Sequence, residues 1–116
     1  MTSSFNWPQH ITLREVGLRD GLQSIARILP TAQKLEWIRD AHAAGLREIE
    51  VGSFVPPKLL PQLADTAELV AQATQRPGWT VMALVPNLRG AEAAIRAGVH
   101  KITIPVSASR AHSLAN

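Results

Sequence analysis

The side chains best suited to chemistry lie close together in residues 14–23, whose sequence is REVGLRDGLQ. Asp20 offers an ionised carboxylate that can bind a hard cation such as Mg²⁺ or Mn²⁺. Arg19, directly before it, offers a guanidinium that can stabilise negative charge developing on a carbonyl oxygen. Gly21 allows the backbone to turn tightly beside them. The same residues also fit a surface ion pair followed by a turn glycine, so both interpretations stay open.

Glu50 is the second candidate, because it interrupts an otherwise apolar stretch. In a β-strand, Glu50 and Gly52 would lie on the face opposite to Ile49 and Val51. A buried carboxylate is costly unless it is paired, and Arg19 is an available partner. Residue type alone does not separate a functional pair from a structural salt bridge.

Other polar residues carry weaker signals. The four histidines show neither H-x-H nor H-x-x-x-H spacing, so none is predicted to bind a metal. Asn87 follows a proline ahead of an amphipathic stretch, which favours a helix cap over a substrate contact. No serine has the G-x-S-x-G context of a nucleophile elbow.

Short apolar stretches alternate with longer amphipathic ones, which is typical of an α/β protein with parallel strands. We expect strands at 11–18, 48–54, 80–85 and 101–106. Helices are expected to begin at Thr31, after Asp65 and after Asn87, and glycines to end the first and third. Residues 65–68 have the spacing of a capping box, with Asp in place of Ser or Thr.

An internal repeat refines the fold prediction. Residues 41–51 (AHAAGLREIEV) align with residues 94–104 (AIRAGVHKITI), which places Glu50 opposite Thr103. Repetition of one strand–helix unit favours a (β/α)₈ TIM barrel, and the absence of a G-x-G-x-x-G loop argues against a dinucleotide-binding fold. Since such a barrel has about 250 residues, the chain is expected to cover about its first four βα units. Residues 19–23 would then follow the first strand, at the end of the barrel where active sites lie.

Composition excludes several classes of protein. Apolar residues make up 46% and charged residues 18%, which predicts a packed core, and no stretch is long enough for a membrane span. The net charge is +3, but the basic residues are scattered and aromatics make up only 4%, so we do not expect nucleic-acid binding. The chain has no cysteine and no recognisable secretion signal, which favours a cytoplasmic protein.

Three segments resemble the motifs of hydroxymethylglutaryl-CoA lyases, which belong to a larger group of metal-dependent lyases and condensing enzymes that share an R-D-G motif near the first strand. They are residues 15–23 (EVGLRDGLQ), residues 49–58 (IEVGSFVPPK) and residues 85–90 (VPNLRG). The resemblance extends over residues 11–116, which we expect to be the N-terminal part of the lyase domain, with residues 1–10 as an extension. The Leu-Gln after R-D-G is more similar to the lyases than to isopropylmalate synthases.

The resemblance implies cleavage of 3-hydroxy-3-methylglutaryl-CoA, or of a close 3-hydroxyacyl-CoA, to acetyl-CoA and a keto acid. Arg19 would stabilise the enolate, Asp20 would bind Mg²⁺ or Mn²⁺, and Glu50 would order them as a further catalytic residue. The resemblance also places Gln23, Glu15 and Ser53 around the acyl-CoA substrate. The remaining metal ligands, two histidines of an H-x-H, and a catalytic cysteine are expected beyond Asn116.

The resemblance further implies a homo-oligomer, which we expect to be a dimer. It also implies a role in leucine degradation. Two alternatives remain. One is a condensing enzyme or aldolase of the same barrel group, and the other is an inactive half-barrel that only associates with itself.

Overall fold

The computed structural model describes residues 4–115, in which four parallel strands alternate with helices. None of the helices in that range is long and apolar enough to cross a membrane. The elements in chain order are β1 (Arg14–Glu15), a π-helical turn (Gly17–Gly21), α1 (Thr31–Ala43), β2 (Glu48–Ser53), a 3-10 turn (Pro61–Leu63), α2 (Thr66–Ala73), β3 (Thr80–Leu84), α3 (Leu88–Ala97), β4 (Lys101–Thr103) and α4 (Arg110–Ala115).

The sheet has the strand order β1-β2-β3-β4, and each neighbouring pair is parallel. Parallel strands that are adjacent in both sequence and space, joined by helices, are the repeating unit of a TIM barrel. The predicted architecture of about four βα units is therefore confirmed. In such a sheet all four strands end at the same edge, so the loops that follow them share one side of the molecule.

The main core lies between the sheet and its helices. Ile49 and Val51 of β2 are fully buried there, as are Leu69 and Val70 of α2 and Val81 of β3. Burial of each such aliphatic side chain contributes roughly 1.5–3 kcal/mol relative to an exposed position. This layer holds β2 and β3 in place, and β2 in turn carries Glu50 on the other face of the sheet.

Helix ends explain where the chain turns. Asn87 caps α3, because its side-chain oxygen accepts a hydrogen bond from the Gly90 backbone N–H at 2.9 Å, as predicted. Gly45 follows the end of α1 with a φ of 87°, a left-handed conformation that glycine adopts without strain. The capping box predicted at residues 65–68 is wrong. Asp65 is at the N-cap of α2 but makes no capping bond, because its carboxylate binds Lys34 instead.

All four strands end earlier than predicted, β2 and β3 by one residue and the first and fourth strands by three. The first covers only Arg14–Glu15, since residues 11–13 are exposed and unpaired in the sheet and the backbone from Gly17 to Gly21 coils into a π-helical turn. The fourth ends at Thr103, two residues before Pro105, which has no backbone N–H to donate to a neighbouring strand. These differences lie at the ends of strands, where apolar composition continues but regular pairing stops.

Gly52 lies on a different face of the sheet from the one predicted. The register shifts between Glu50 and Gly52, and this irregularity turns Gly52 towards α2, where a Cβ would collide with the side chain of Thr66. The Thr66 hydroxyl oxygen accepts from the Ser53 backbone N–H at 3.1 Å and donates to the Leu63 carbonyl at 2.7 Å. Simple alternation along β2 therefore fails after Glu50, because a β-bulge changes which residues share a face.

Candidate functional site

The predicted pair of Arg19 and Glu50 is present in the structure. Arg19 Nε donates to Glu50 Oε1, and the two side chains form an ion pair. The side chain of Glu50 is 1% exposed and that of Arg19 is 18% exposed. The carboxylate is thus buried within the fold, whereas the Arg19 side chain is partly exposed at the end of the strands.

The π-helical turn positions Arg19. The Val16 carbonyl accepts hydrogen bonds from the backbone N–H groups of Arg19 at 3.1 Å and Asp20 at 2.8 Å, which closes the chain into a compact coil. Leu18, inside the turn, is fully buried and anchors it to the core. Single π-helical turns occur often at functional sites, since they change the direction of side chains relative to a regular element.

Asp20 lies beside Arg19 on the solvent side. Arg19 Nη1 donates to Asp20 Oδ1 at 3.1 Å, and the Asp20 side chain is 64% exposed. Ser24 Oγ donates to the Asp20 backbone carbonyl at 3.0 Å, which ties the following residues to the turn. The Asp20 carboxylate therefore keeps its second oxygen for a ligand from solvent.

Thr103 is a member of the cluster that residue type did not identify. Its hydroxyl donates to Glu50 Oε2 at 2.8 Å. Glu50 pairs with Met82 in the sheet and Leu84 pairs with Thr103, so Glu50 and Thr103 lie on strands to either side of β3. Side chains from alternate strands share one layer inside a TIM barrel. The internal repeat that aligned Glu50 with Thr103 was the signal for this contact.

Glu15 lies apart from this cluster. Its Oε1 accepts from the Gly17 backbone N–H at 2.7 Å, and it lines a cavity of about 460 Å³ against α1 together with Trp37 and Asp40. The Glu15 carboxylate therefore points to the helix side of the sheet. Its assignment as a substrate contact stays a prediction, and so does that of Gln23, which is exposed just after the π-helical turn.

Ser53 is buried at the end of β2. Its hydroxyl makes no hydrogen bond within residues 4–115, and the residue lines a cavity of about 600 Å³ between the loops that follow β2 and β3. Lys58, Asn87 and Arg89 also line this cavity, which gives it a basic rim. Ser53 is thus near the edge of the sheet that carries Arg19, and its role in substrate binding stays a prediction.

A divalent cation, which the family resemblance implies, requires several oxygen or nitrogen ligands. Asp20 fits one ligand position, because it is a hard carboxylate donor with an uncommitted oxygen facing solvent. Within residues 4–115 no three His, Cys, Asp or Glu side chains are grouped closely enough to hold a metal. The described part of the chain can therefore contribute to a metal centre through Asp20.

Residues 10–116 match the model of the HMGL-like protein family. The chain is 49% identical over 111 residues to a 3-hydroxy-3-isohexenylglutaryl-CoA/hydroxymethylglutaryl-CoA lyase of Pseudomonas aeruginosa. The aligned region covers 96% of the chain and 37% of that protein. It is 39% identical over 110 residues to a hydroxymethylglutaryl-CoA lyase of Bacillus subtilis, and the aligned region covers 95% of the chain and 37% of that protein.

Solved structures give the same result. A crystal structure of hydroxymethylglutaryl-CoA lyase from Pseudomonas aeruginosa superposes with a TM-score of 0.88 at 48% identity, over 96% of the chain and 37% of that structure. A lyase from Acinetobacter baumannii, solved in complex with coenzyme A and 3-methylmalate, gives a TM-score of 0.83 at 38% identity, over 90% of the chain and 34% of that structure.

The chain thus spans a little over a third of the length of the curated relatives named above. The match nevertheless covers the strands, the π-helical turn and the cluster around Arg19. The resemblance that the three motifs indicated is confirmed, and the chain belongs to the HMGL-like family.

Proposed function

We propose that this chain supplies the enolate-stabilising arginine and one metal ligand of a hydroxymethylglutaryl-CoA lyase. The chain corresponds to about 37% of its relatives, so the activity belongs to an assembly that also carries the remaining βα units. We call this assembly the complete enzyme. The observation that carries the proposal is Arg19, held by buried Glu50 at the edge of the sheet where barrel enzymes bind their substrates.

The proposed reaction breaks the bond between C2 and C3 of 3-hydroxy-3-methylglutaryl-CoA. The C3 hydroxyl loses its proton and becomes the ketone of acetoacetate. The electron pair of the broken bond moves onto C2 and the thioester carbonyl, giving the enolate of acetyl-CoA, which takes up a proton at C2. Negative charge therefore develops on the thioester oxygen, and a fixed cationic donor near that oxygen lowers the barrier.

Arg19 fits this requirement because part of its donor capacity is uncommitted. A guanidinium has five N–H groups. Nε donates to Glu50 and Nη1 to Asp20, and Nη2 donates to no side chain within residues 4–115. We infer that these remaining N–H groups point to the thioester oxygen, since the guanidinium is already oriented and little reorganisation is needed during reaction.

Glu50 acts on the substrate through Arg19. Both of its carboxylate oxygens accept hydrogen bonds, one from Arg19 and one from Thr103, and the side chain is almost fully buried. A carboxylate in that position neutralises and orients the guanidinium. Asp20 would hold the divalent cation, which when bound supplies positive charge next to the C3 oxygen and favours loss of the hydroxyl proton.

An acyl-CoA substrate agrees with the chemistry of the adjoining loops. The Acinetobacter baumannii relative binds coenzyme A in its solved complex. In the present chain Lys58 and Arg89 line the cavity at the same edge of the sheet as Arg19. Exposed basic side chains are suited to the phosphates of coenzyme A.

The test is a product analysis with the complete enzyme, Mg²⁺ or Mn²⁺, and 3-hydroxy-3-methylglutaryl-CoA. We expect equimolar acetyl-CoA and acetoacetate. Cleavage of 3-hydroxy-3-isohexenylglutaryl-CoA, measured in parallel, would show which substituent at C3 the enzyme accepts. Condensation of acetyl-CoA with a keto acid, without cleavage of either substrate, would instead identify the condensing enzyme of the same barrel group. Loss of cleavage when the metal is chelated, and recovery when it is added back, would support a metal-dependent reaction, and a weaker metal affinity in Asp20→Asn would support the role of Asp20.

A further inference from the structure

We propose that Thr103 is a positioning residue for the lyase reaction, because its hydroxyl fixes the Glu50 carboxylate that in turn orients Arg19. The expected effect on catalysis rests on the proposed function. The geometry itself concerns only three side chains in this chain, so it is testable without any substrate. Neither charge nor any catalytic motif of the sequence points to Thr103.

The direction of each hydrogen bond is determined by chemistry. An ionised carboxylate only accepts, and the Thr103 hydroxyl has one hydrogen to donate. That hydrogen goes to Glu50 Oε2 at 2.8 Å. The other oxygen, Oε1, then faces Arg19 Nε. Each carboxylate oxygen thus has its own partner.

The bond to Thr103 matters because the terminal torsion of glutamate is soft. Rotation about the bond to the carboxylate carbon has broad minima, so packing alone does not define the carboxylate plane. Two donors on opposite sides do define it. Without the threonine hydroxyl, Oε2 would be buried without a donor, since the side chain is 1% exposed. We expect the carboxylate then to rotate so that both oxygens share the guanidinium, which moves the Arg19 N–H groups.

A matched control exists elsewhere in the chain. Thr31 Oγ1 donates to Asp65 Oδ2, also at 2.8 Å, and this carboxylate likewise binds a cation through its other oxygen. Neither residue contacts Arg19 or Glu50. Replacing Thr31 with valine therefore removes a threonine–carboxylate bond of the same length and leaves the candidate site intact.

The first measurement is the ¹H–¹⁵N resonance of Arg19 Nε in the complete enzyme, assigned with an Arg19→Lys variant. We expect the Thr103→Val variant to shift this resonance and to increase its exchange with water. Thr103→Ser, which keeps a hydroxyl, should restore it, and Thr31→Val should leave it unchanged. Thr103→Ala replaces the valine variant if that one does not fold. An Nε resonance unaffected by loss of the hydroxyl would overturn the inference, whether or not the protein is a lyase.

The second measurement is steady-state cleavage by the same variants. Displacement of a catalytic group by a fraction of an ångström to one ångström lowers rates by up to about 10²-fold. We expect Thr103→Val to lower kcat on the order of 10-fold with KM unchanged, and Thr103→Ser to recover most of it. An equal loss of kcat in Thr31→Val would show a general effect of stability and overturn the positioning role. Absence of cleavage in the unaltered enzyme would reject the proposed function, and the resonance of Arg19 would then decide the inference alone.

Discussion

Asp65 and Glu50 lie in two regions of the molecule but are bound by the same set of groups. Each carboxylate accepts from a cation on one oxygen and from a threonine hydroxyl on the other, at 2.8 Å in both cases. The cation is Lys34 for Asp65 and Arg19 for Glu50. The first cluster connects α1 to the start of α2, and the second connects the π-helical turn to β2 and β4.

The clusters differ in which charge is buried. Lys34 is 1% exposed and Asp65 17%, whereas Glu50 is 1% exposed and Arg19 18%. Lys34 Nζ donates to Asp65 and to the Gln62 carbonyl, both at 2.6 Å, so the cation is enclosed by the fold. In the second cluster the cation is partly exposed, and Arg19 Nη2 donates to no side chain within residues 4–115. The comparison indicates that a fully buried cation serves the fold, and that a partly exposed cation held by a buried carboxylate is available to a ligand.

The largest effect is expected where the enclosed cation is removed. Lys34→Ala leaves Asp65 without its counter-charge in a largely buried position, which destabilises proteins by about 3–5 kcal/mol. We expect the free energy of unfolding of the complete enzyme to fall by that amount in urea titrations. Arg39→Ala is the control, because the Arg39–Asp40 pair is exposed on the same helix and should change stability by about 0–1 kcal/mol. An equal free energy of unfolding in the two variants would show that the Lys34–Asp65 pair does not stabilise the fold more than an exposed ion pair does.

The next effect concerns activity. Arg19→Lys keeps a positive charge for Glu50 but loses the planar fork of donors. We expect kcat to fall by about 10²-fold, comparable with removal of one oxyanion donor in other enzymes. The free energy of unfolding should change far less than in Lys34→Ala, because Glu50 keeps a cationic partner. Normal turnover with reduced stability in this variant would show that Arg19, like Lys34, stabilises the fold and does not act in catalysis.

The alternation of elements was predictable because it depends on local composition. The repeat of helix end, glycine and strand required only residue spacing, and the structure confirms the α/β order and the Asn87 cap. Pro105 was a local signal for the end of β4 that the strand prediction passed over, whereas the face of Gly52 was not predictable, since it depends on the register between β2 and β3. Asp65 illustrates the same limit. The capping motif is local, but the stronger partner Lys34 lies 31 residues away and takes the carboxylate.

From residue type, only the charged members of the candidate site were predictable. Arg19 and Glu50 have opposite charges and Glu50 is embedded in an apolar stretch, so pairing was the least costly arrangement. Thr103 carries no charge, and a threonine in a strand is ordinary, so its alignment with Glu50 in the internal repeat is its one signal in the sequence. Only the register across β3 brings its hydroxyl to Glu50. Glu15 shows the converse, since it belongs to the same motif as Arg19 but the strand directs it to the other face.

The smallest predicted effect concerns Asn87, which caps α3 and also lines the cavity with the basic rim. Its variants distinguish a role in stability from a role in substrate binding. Asn87→Ala removes the acceptor for the Gly90 N–H and should lower the free energy of unfolding by about 1 kcal/mol. Asn87→Asp keeps an acceptor and should retain stability. If the residue only caps the helix, kcat and KM for the acyl-CoA stay unchanged in both variants. A raised KM in the stable Asn87→Asp variant would instead show that this end of the sheet contacts substrate through a neutral amide as well as through Arg19.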